Sequence, residues 1–355
     1  MLQVTKSYLP DIKEYIALLN QIWDNGQLTN DGPLVLELER KLAEYLEVEN
    51  FLYVSNGTIA LQLAIKGLEL KGDIITTPFS YCATTTALIW EYCQPVFADI
   101  SATSLTCEVS ELNSVWTNKI QGVLTTHVYG NSGNLVDQEN WAKDKGIPLL
   151  YDGAHAFGVK HHGKSIFTYG DVSTCSFHAT KLFHTIEGGA VMTNNSELAE
   201  KIRGIRSFGH KGDHYFAAGI NGKNSEFHAA MGLVNLNHLD EIKAHRQAVS
   251  EYYESNLSKQ VNRLAWNSFN MRNYSYFPVI FDSERILEKV VDTLNKQNIF
   301  PRRYFYPALN ELPYLEYQSC PIAEDISRRV VCLPLSAEIS LADVQRITQI
   351  INSVV

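Results

Sequence analysis

The chain has 355 residues, 45% of them hydrophobic and 19% charged, the composition of an ordinary globular protein long enough for one large core and a smaller one. Its formal net charge of −9 argues against nucleic acid as a partner, which calls for a basic stripe, yet leaves room for an anionic small molecule in a locally positive pocket. No apolar run is long enough to span a membrane, and residues 1–10 lack an export signal's basic and apolar regions, so a cytoplasmic location without a membrane partner is expected.

Apolar side chains at Ile12, Tyr15, Ile16, Leu19 and Ile22 predict a helix over residues 11–24. A turn-rich loop over 25–33 leads to a second helix with Val35, Leu38, Leu42 and Tyr45 on one face. A buried strand is predicted at 51–54, ending at Ser55-Asn56-Gly57-Thr58, with a helix over 58–67 behind it. The pattern then alternates: strand 73–76, helix 83–91, strands 95–99 and 122–126, helix 135–145, and strand 148–151 ending at Asp152. Strands follow at 172–177 and 189–193, then one long helix over 225–257. Such alternation predicts an α/β fold with a mainly parallel sheet, helices on both faces, and active residues at the carboxyl ends of the strands. Residues 274–281, a helix over 283–297, a Pro-rich stretch over 301–321 and a last helix from Leu341 predict a smaller α+β unit. The expected division is 1–240 and 241–355.

Three strand ends carry candidate chemistry. Ser55-Asn56-Gly57-Thr58 joins a strand to a helix N-terminus, where free N–H groups and a partial positive charge suit a phosphate; a plain N-cap formed by Ser55 or Thr58 explains it equally well. Asp152 closes an apolar strand, where an unpaired carboxylate is costly and a cationic ring nitrogen would relieve it, by about 4 kcal/mol at a few ångströms and an effective dielectric near 20. Lys181 sits among Ser176, His178 and Thr180, just before Gly188-Gly189; it reads either as a surface lysine or as a desolvated amine able to form a Schiff base. A phosphate cradle, an acidic partner for a pyridinium and a poised lysine are together the three handles that pyridoxal phosphate needs. Cysteines 82, 93, 107, 175, 320 and 332 lack metal-ligand spacing, and the eleven histidines include no H-E-x-x-H, so no metal is expected.

Over nearly its whole length the chain resembles the DegT/DnrJ/StrS sugar aminotransferases, within the fold-type I pyridoxal phosphate enzymes. The resemblance is carried by Gly32-Pro33, Ser55-Asn56-Gly57-Thr58, Pro78-Phe79-Ser80-Tyr81-Cys82-Ala83-Thr84, Pro95-Val96-Phe97-Ala98-Asp99, His127-Val128-Tyr129-Gly130, Asp152-Gly153-Ala154-His155, Ser176-Phe177-His178-Ala179-Thr180-Lys181, Glu187-Gly188-Gly189 and Gly219-Ile220-Asn221-Gly222-Lys223. It implies a mainly parallel seven-stranded sheet and a homodimer with shared active sites. By the same resemblance Lys181 forms the Schiff base and shuttles a proton, Asp152 pairs with the pyridine nitrogen, Tyr81 stacks on the ring and His155 lies near the ring hydroxyl. Gly57, Thr58 and Ser176 would hold the phosphate, with Asn221 reaching in from the neighbouring subunit. Lys223 stands where many relatives have Arg and so lacks the planar fork; with His127, Arg303 and Tyr306 it completes the candidate substrate contacts.

The implied reaction is transamination from glutamate to C4 of dTDP-4-keto-6-deoxyglucose, giving dTDP-4-amino-4,6-dideoxyglucose. The alternatives are a C3 transaminase of a dTDP-3-keto-6-deoxyhexose and, from another class, a non-catalytic regulatory or binding protein on the same fold. A sugar dehydratase of this family would carry histidine in place of Lys181.

Overall fold

The computed structural model describes residues 1–355. At its centre a seven-stranded sheet runs in the order Asn50–Val54, Gly189–Thr193, Val172–Ser176, Leu149–Asp152, Ile120–Thr126, Gly72–Thr76, Cys93–Phe97. Only Gly189–Thr193 runs antiparallel to its neighbours; the remaining pairs are parallel. The expected fold class, α/β with a mainly parallel sheet, is therefore the one observed.

Side-chain alternation along these strands divides the interior into two cores. Phe51, Tyr53, Ile75, Val123, Leu149, Tyr151, Ala190 and Met192 face one side, where the helices Ile12–Asn25, Pro33–Tyr45 and Glu226–Asn237 pack. Leu52, Val54, Ile74, Leu124, Leu150, Val172 and Val191 face the other, covered by Gly57–Gly67, Cys82–Trp90 and Ser196–Arg206.

The single helix expected over 225–257 is two: Glu226–Asn237 ends at His238, and Leu239–Asn256 begins there. No proline or glycine causes the break. At the break, side chains are held from outside the helix: Asn235 donates to the His184 carbonyl at 2.9 Å and His238 bonds Glu14 at 3.0 Å. The second helix starts in the first core with Leu239 and Ile242 and ends in another with Val249 and Tyr253. That last core gathers Phe277, Val279, Val331 and Leu333 from the antiparallel sheet Asn262–Arg263, Phe277–Ile280, Val330–Leu333 beneath the helices Glu284–Asn295 and Leu341–Val354. The chain's first residues join this C-terminal part: Leu2–Gln3 pairs in parallel with Ile299–Phe300. No helix is long and apolar enough to cross a membrane.

Candidate active site

The carboxyl ends of the parallel strands open into a cavity of about 640 Å3, lined among others by Gly57, Thr58, Tyr81, Asp152, His155, Ser176 and Lys181. The seven come from four separate stretches of chain, and sheet order explains why they meet. Leu149–Asp152 and Val172–Ser176 are adjacent strands, and the helix starting at Gly57 crosses beside them.

Neither Ser55 nor Thr58 caps that helix. Asn56 does, its side chain accepting from the Ile59 N–H at 2.9 Å. The first N–H groups, those of Gly57 and Thr58, are left to face the cavity at the positive end of an eleven-residue helix. A Cβ built on Gly57 would stand 2.8 Å from the Ser176 Cβ, so only glycine lets the turn and the strand approach this closely.

Asp152 is 5% exposed. Burial raises its pKa, opposed by hydrogen bonds from the Thr84 hydroxyl to Oδ2 (2.7 Å) and from the Ala154 N–H to Oδ1 (3.0 Å), and by the charge of Lys181. Lys181 follows the strand Val172–Ser176 in a turn pinned on both sides. Phe177 and Phe183 are buried edge to face with centroids 5.2 Å apart, and the Thr185 N–H donates to the Phe177 carbonyl at 3.0 Å. The lysine is half-buried, and desolvation lowers its pKa against the pull of Asp152. These are the conditions that favour a neutral, nucleophilic amine.

His155 is held in one tautomer. Its Nδ1 accepts from the Tyr129 N–H at 3.1 Å, leaving Nε2 to carry the proton, and burial keeps the ring neutral by pushing its pKa well down. Asn273 fixes the backbone beneath it by donating to the carbonyls of His155 and Phe157, both at 2.9 Å. Tyr81 is 55% exposed at the cavity wall, which excludes a core aromatic.

The remaining candidates lie elsewhere. His127 is buried against the Tyr151 ring at 4.6 Å, its pKa pushed down to about 3 by desolvation, and does not line the cavity. Arg303 is paired with Glu284 at 2.7 Å and lies over the Tyr306 ring at 3.6 Å, so these two contact each other outside the cavity. Its neighbour Arg302 lines the cavity instead, with Tyr276, Tyr304 and Phe305. Asn221 is exposed beside Ser207, and Lys223 sits 4.9 Å from the Phe208 ring; neither reaches its own chain's cavity. Sequence reasoning gave no role to Ser80, Thr84 or Thr126: the first two stood only within the motif of residues 78–84, Thr84 in the first turn of the helix Cys82–Trp90, and Thr126 ends a strand.

The residues present fit pyridoxal phosphate: an open helix N-terminus for its phosphate, a buried carboxylate for its ring nitrogen and a desolvated lysine for its aldehyde share one cavity. Residues 10–352 match the model of the DegT/DnrJ/EryC1/StrS aminotransferase family. A dTDP-4-amino-4,6-dideoxy-D-glucose transaminase of Shigella dysenteriae is 38% identical over 346 residues, covering 95% of this chain and 94% of the relative. An Escherichia coli enzyme of the same name is 32% identical, covering 98% and 97%. The crystal structure of DesI in the presence of its TDP-sugar product superposes with a TM-score of 0.94 at 30% identity, covering 99% of this chain and 92% of that one. The chain belongs to the DegT/DnrJ/EryC1/StrS aminotransferase family and is a pyridoxal phosphate-dependent sugar aminotransferase.

Proposed function

We propose that this enzyme moves an amino group from glutamate to C4 of a nucleotide-linked 4-keto-6-deoxyhexose, with dTDP-4-keto-6-deoxyglucose as the acceptor. The observation that carries the reading is the facing pair of a desolvated Lys181 and a buried Asp152 in a cavity large enough for a sugar, in a chain 38% identical to a relative named for the corresponding amino sugar. When bound, pyridoxal phosphate supplies an electron-withdrawing ring that takes up the charge left on a carbon losing its proton. The Gly57 and Thr58 N–H groups and the Ser176 hydroxyl bind the phosphate. Asp152 holds a proton on the ring nitrogen, and His155 donates from Nε2 to the ring hydroxyl. Tyr81 covers one face and excludes water. Lys181 Nζ, whose pKa burial lowers, accepts the proton from the amino donor's carbon and later returns one to the sugar's.

Arg302 is the cavity's other cation and has no carboxylate partner among the ion pairs, which supports a role in binding the anionic substrates. Asn221, exposed and outside its own cavity, serves the neighbouring subunit's phosphate site in a homodimer. The division between a cofactor-binding unit, residues 1–240, and a smaller unit, residues 241–355, falls near the start of the helix Leu239–Asn256, with the strand Leu2–Gln3 crossing over to pair in the smaller unit.

The test is incubation with glutamate and a panel of dTDP- and GDP-linked 3-keto and 4-keto 6-deoxyhexoses, followed by mass analysis of each product. Amination of the dTDP-4-keto sugar is expected. Turnover of the 3-keto sugars alone would overturn the C4 assignment.

A further inference from the structure

Three hydroxyls lie end to end beneath the site. Thr126 Oγ1 is 3.0 Å from Ser80 Oγ, Ser80 Oγ is 2.7 Å from Thr84 Oγ1, and Thr84 Oγ1 is 2.7 Å from Asp152 Oδ2. All four residues are buried, at 6%, 2%, 0% and 5% exposure respectively; Thr126, Ser80 and Asp152 border the cavity and Thr84 lies behind them. Thr126 and Asp152 end the neighbouring strands Ile120–Thr126 and Leu149–Asp152, Ser80 lies in the loop after the next strand, Gly72–Thr76, and Thr84 in the first turn of the helix Cys82–Trp90 that follows it.

The chain has one direction. An ionised carboxylate only accepts, so Thr84 must spend its single proton on Asp152. Thr84 can then only accept from Ser80, and Ser80 in turn only from Thr126. Donors aligned this way polarise one another, and a hydrogen bond to a charged acceptor is the strong kind. The other charged or titratable groups near the Asp152 carboxylate are the Lys181 ammonium, which also favours the anion, and the Cys175 thiol, kept protonated by burial. Ala154 supplies an N–H to Oδ1, while the His127 N–H goes to the Asp152 carbonyl and does not touch the carboxylate.

We propose that Thr84, Ser80 and Thr126 are positioning residues for this enzyme: their hydroxyls form a one-way chain of donors that ends on Asp152 and keeps its carboxylate ionised and aimed into the cavity. The consequence for the cofactor rests on the reading of Asp152 as the partner of the ring nitrogen. Burial alone pushes this carboxyl toward its neutral form, which could not hold a proton on the ring, and the hydroxyl chain opposes that push. Thr84 acts directly on the carboxylate; Ser80 and Thr126 act through it.

The test titrates the full-length chain labelled with [4-13C]aspartate, the Asp152 resonance being identified by its loss in Asp152→Asn. Without cofactor, Thr84→Val moves the Asp152 titration upward by about one pH unit, the worth of one charge-assisted hydrogen bond. Thr84→Ser, which keeps the hydroxyl, leaves it in place, and Ser80→Ala and Thr126→Val move it less in the same direction. Loading with pyridoxal phosphate then shows a Kd raised about tenfold in Thr84→Val and restored in Thr84→Ser. An Asp152 titration that is the same in Thr84→Val and the parent, or that moves equally in Thr84→Ser, overturns the proposal. A shifted titration with unchanged cofactor affinity supports the hydroxyl chain and instead removes Asp152 from the ring nitrogen. If Thr84→Val does not fold, Ser80→Ala and Thr126→Val carry the same reading, and no movement in either overturns it.

Discussion

Replacing Gly57 by alanine probes the closest approach in the site. The new Cβ would lie 2.8 Å from the Ser176 Cβ and 3.2 Å from its Oγ. Carbon atoms in contact prefer about 3.5–4.0 Å, so the overlap is about 0.7 Å or more. Rotation of the serine cannot relieve it, because a Cβ is placed by its backbone and Ser176 is the last residue of a strand inside the sheet. The start of the helix Gly57–Gly67 must move, at a cost of roughly 1–3 kcal/mol. In the cofactor-free protein this should lower the melting temperature by roughly 1–4 °C. The same movement takes the Gly57 and Thr58 N–H groups off the phosphate, so the cofactor Kd should rise about tenfold or more by fluorescence titration. Ser176→Gly removes the Cβ and Oγ and leaves only the Cα at an ordinary 3.4 Å, so the double variant should lose less stability than the two single variants summed. Additive losses, or a Gly57→Ala protein with unchanged melting and cofactor affinity, would refute the close-packed cradle.

Lys181→Ala should leave the fold intact by circular dichroism while abolishing turnover; purified variant that still aminates a keto sugar would end the assignment of the lysine. Arg302→Met should raise KM for the anionic substrates about tenfold or more with little change in kcat, whereas Arg303→Met should leave KM alone and cost about 1 kcal/mol of stability through loss of its bond to Glu284. Equal kinetic effects of the two would contradict their placement. His127 makes the protein acid-sensitive: its pKa falls from 6.5 to about 3 on folding, so as pH drops through that window the unfolded chain gains a proton that the native one refuses. Stability should therefore decline on acidification with a contribution of about 1.4 kcal/mol per pH unit, which His127→Gln removes. Denaturant midpoints between pH 7 and pH 4 measure it, and identical acid slopes in the two proteins would refute it. Asp152, whose pKa burial raises, has the opposite sign and becomes less costly to bury as it takes up a proton.

The strands were legible because their apolar runs end at turn residues, and the alternation of Leu52 and Val54 against Phe51 and Tyr53 reappears as the two faces of the sheet. Short amphipathic stretches were harder. The helices Val109–Val115, Ser196–Arg206 and Pro321–Arg329 passed unread, and the break at His238 carries no proline or glycine to announce it. The sequence pointed to Arg303, whereas the structure sets its neighbour Arg302 on the cavity wall. Adjacent side chains diverge, and the choice between them lies with Glu284, which captures Arg303.

What the sequence determined by itself was the set of chemically committed groups. A carboxylate closing an apolar strand, a glycine before a helix and a lysine among small polar residues each announce a local cost or a local freedom. Whether they form a site was decided only by the tertiary structure. Sheet order sets Asp152 beside Ser176, the aromatic anchors Phe177 and Phe183 fix the turn that carries Lys181, and a strand end, a loop and a helix start bring Thr126, Ser80 and Thr84 into line with the carboxylate. Charge state follows from that assembly, because desolvation and hydrogen bonding depend on what surrounds a group in space, and neighbours along the chain do not supply it.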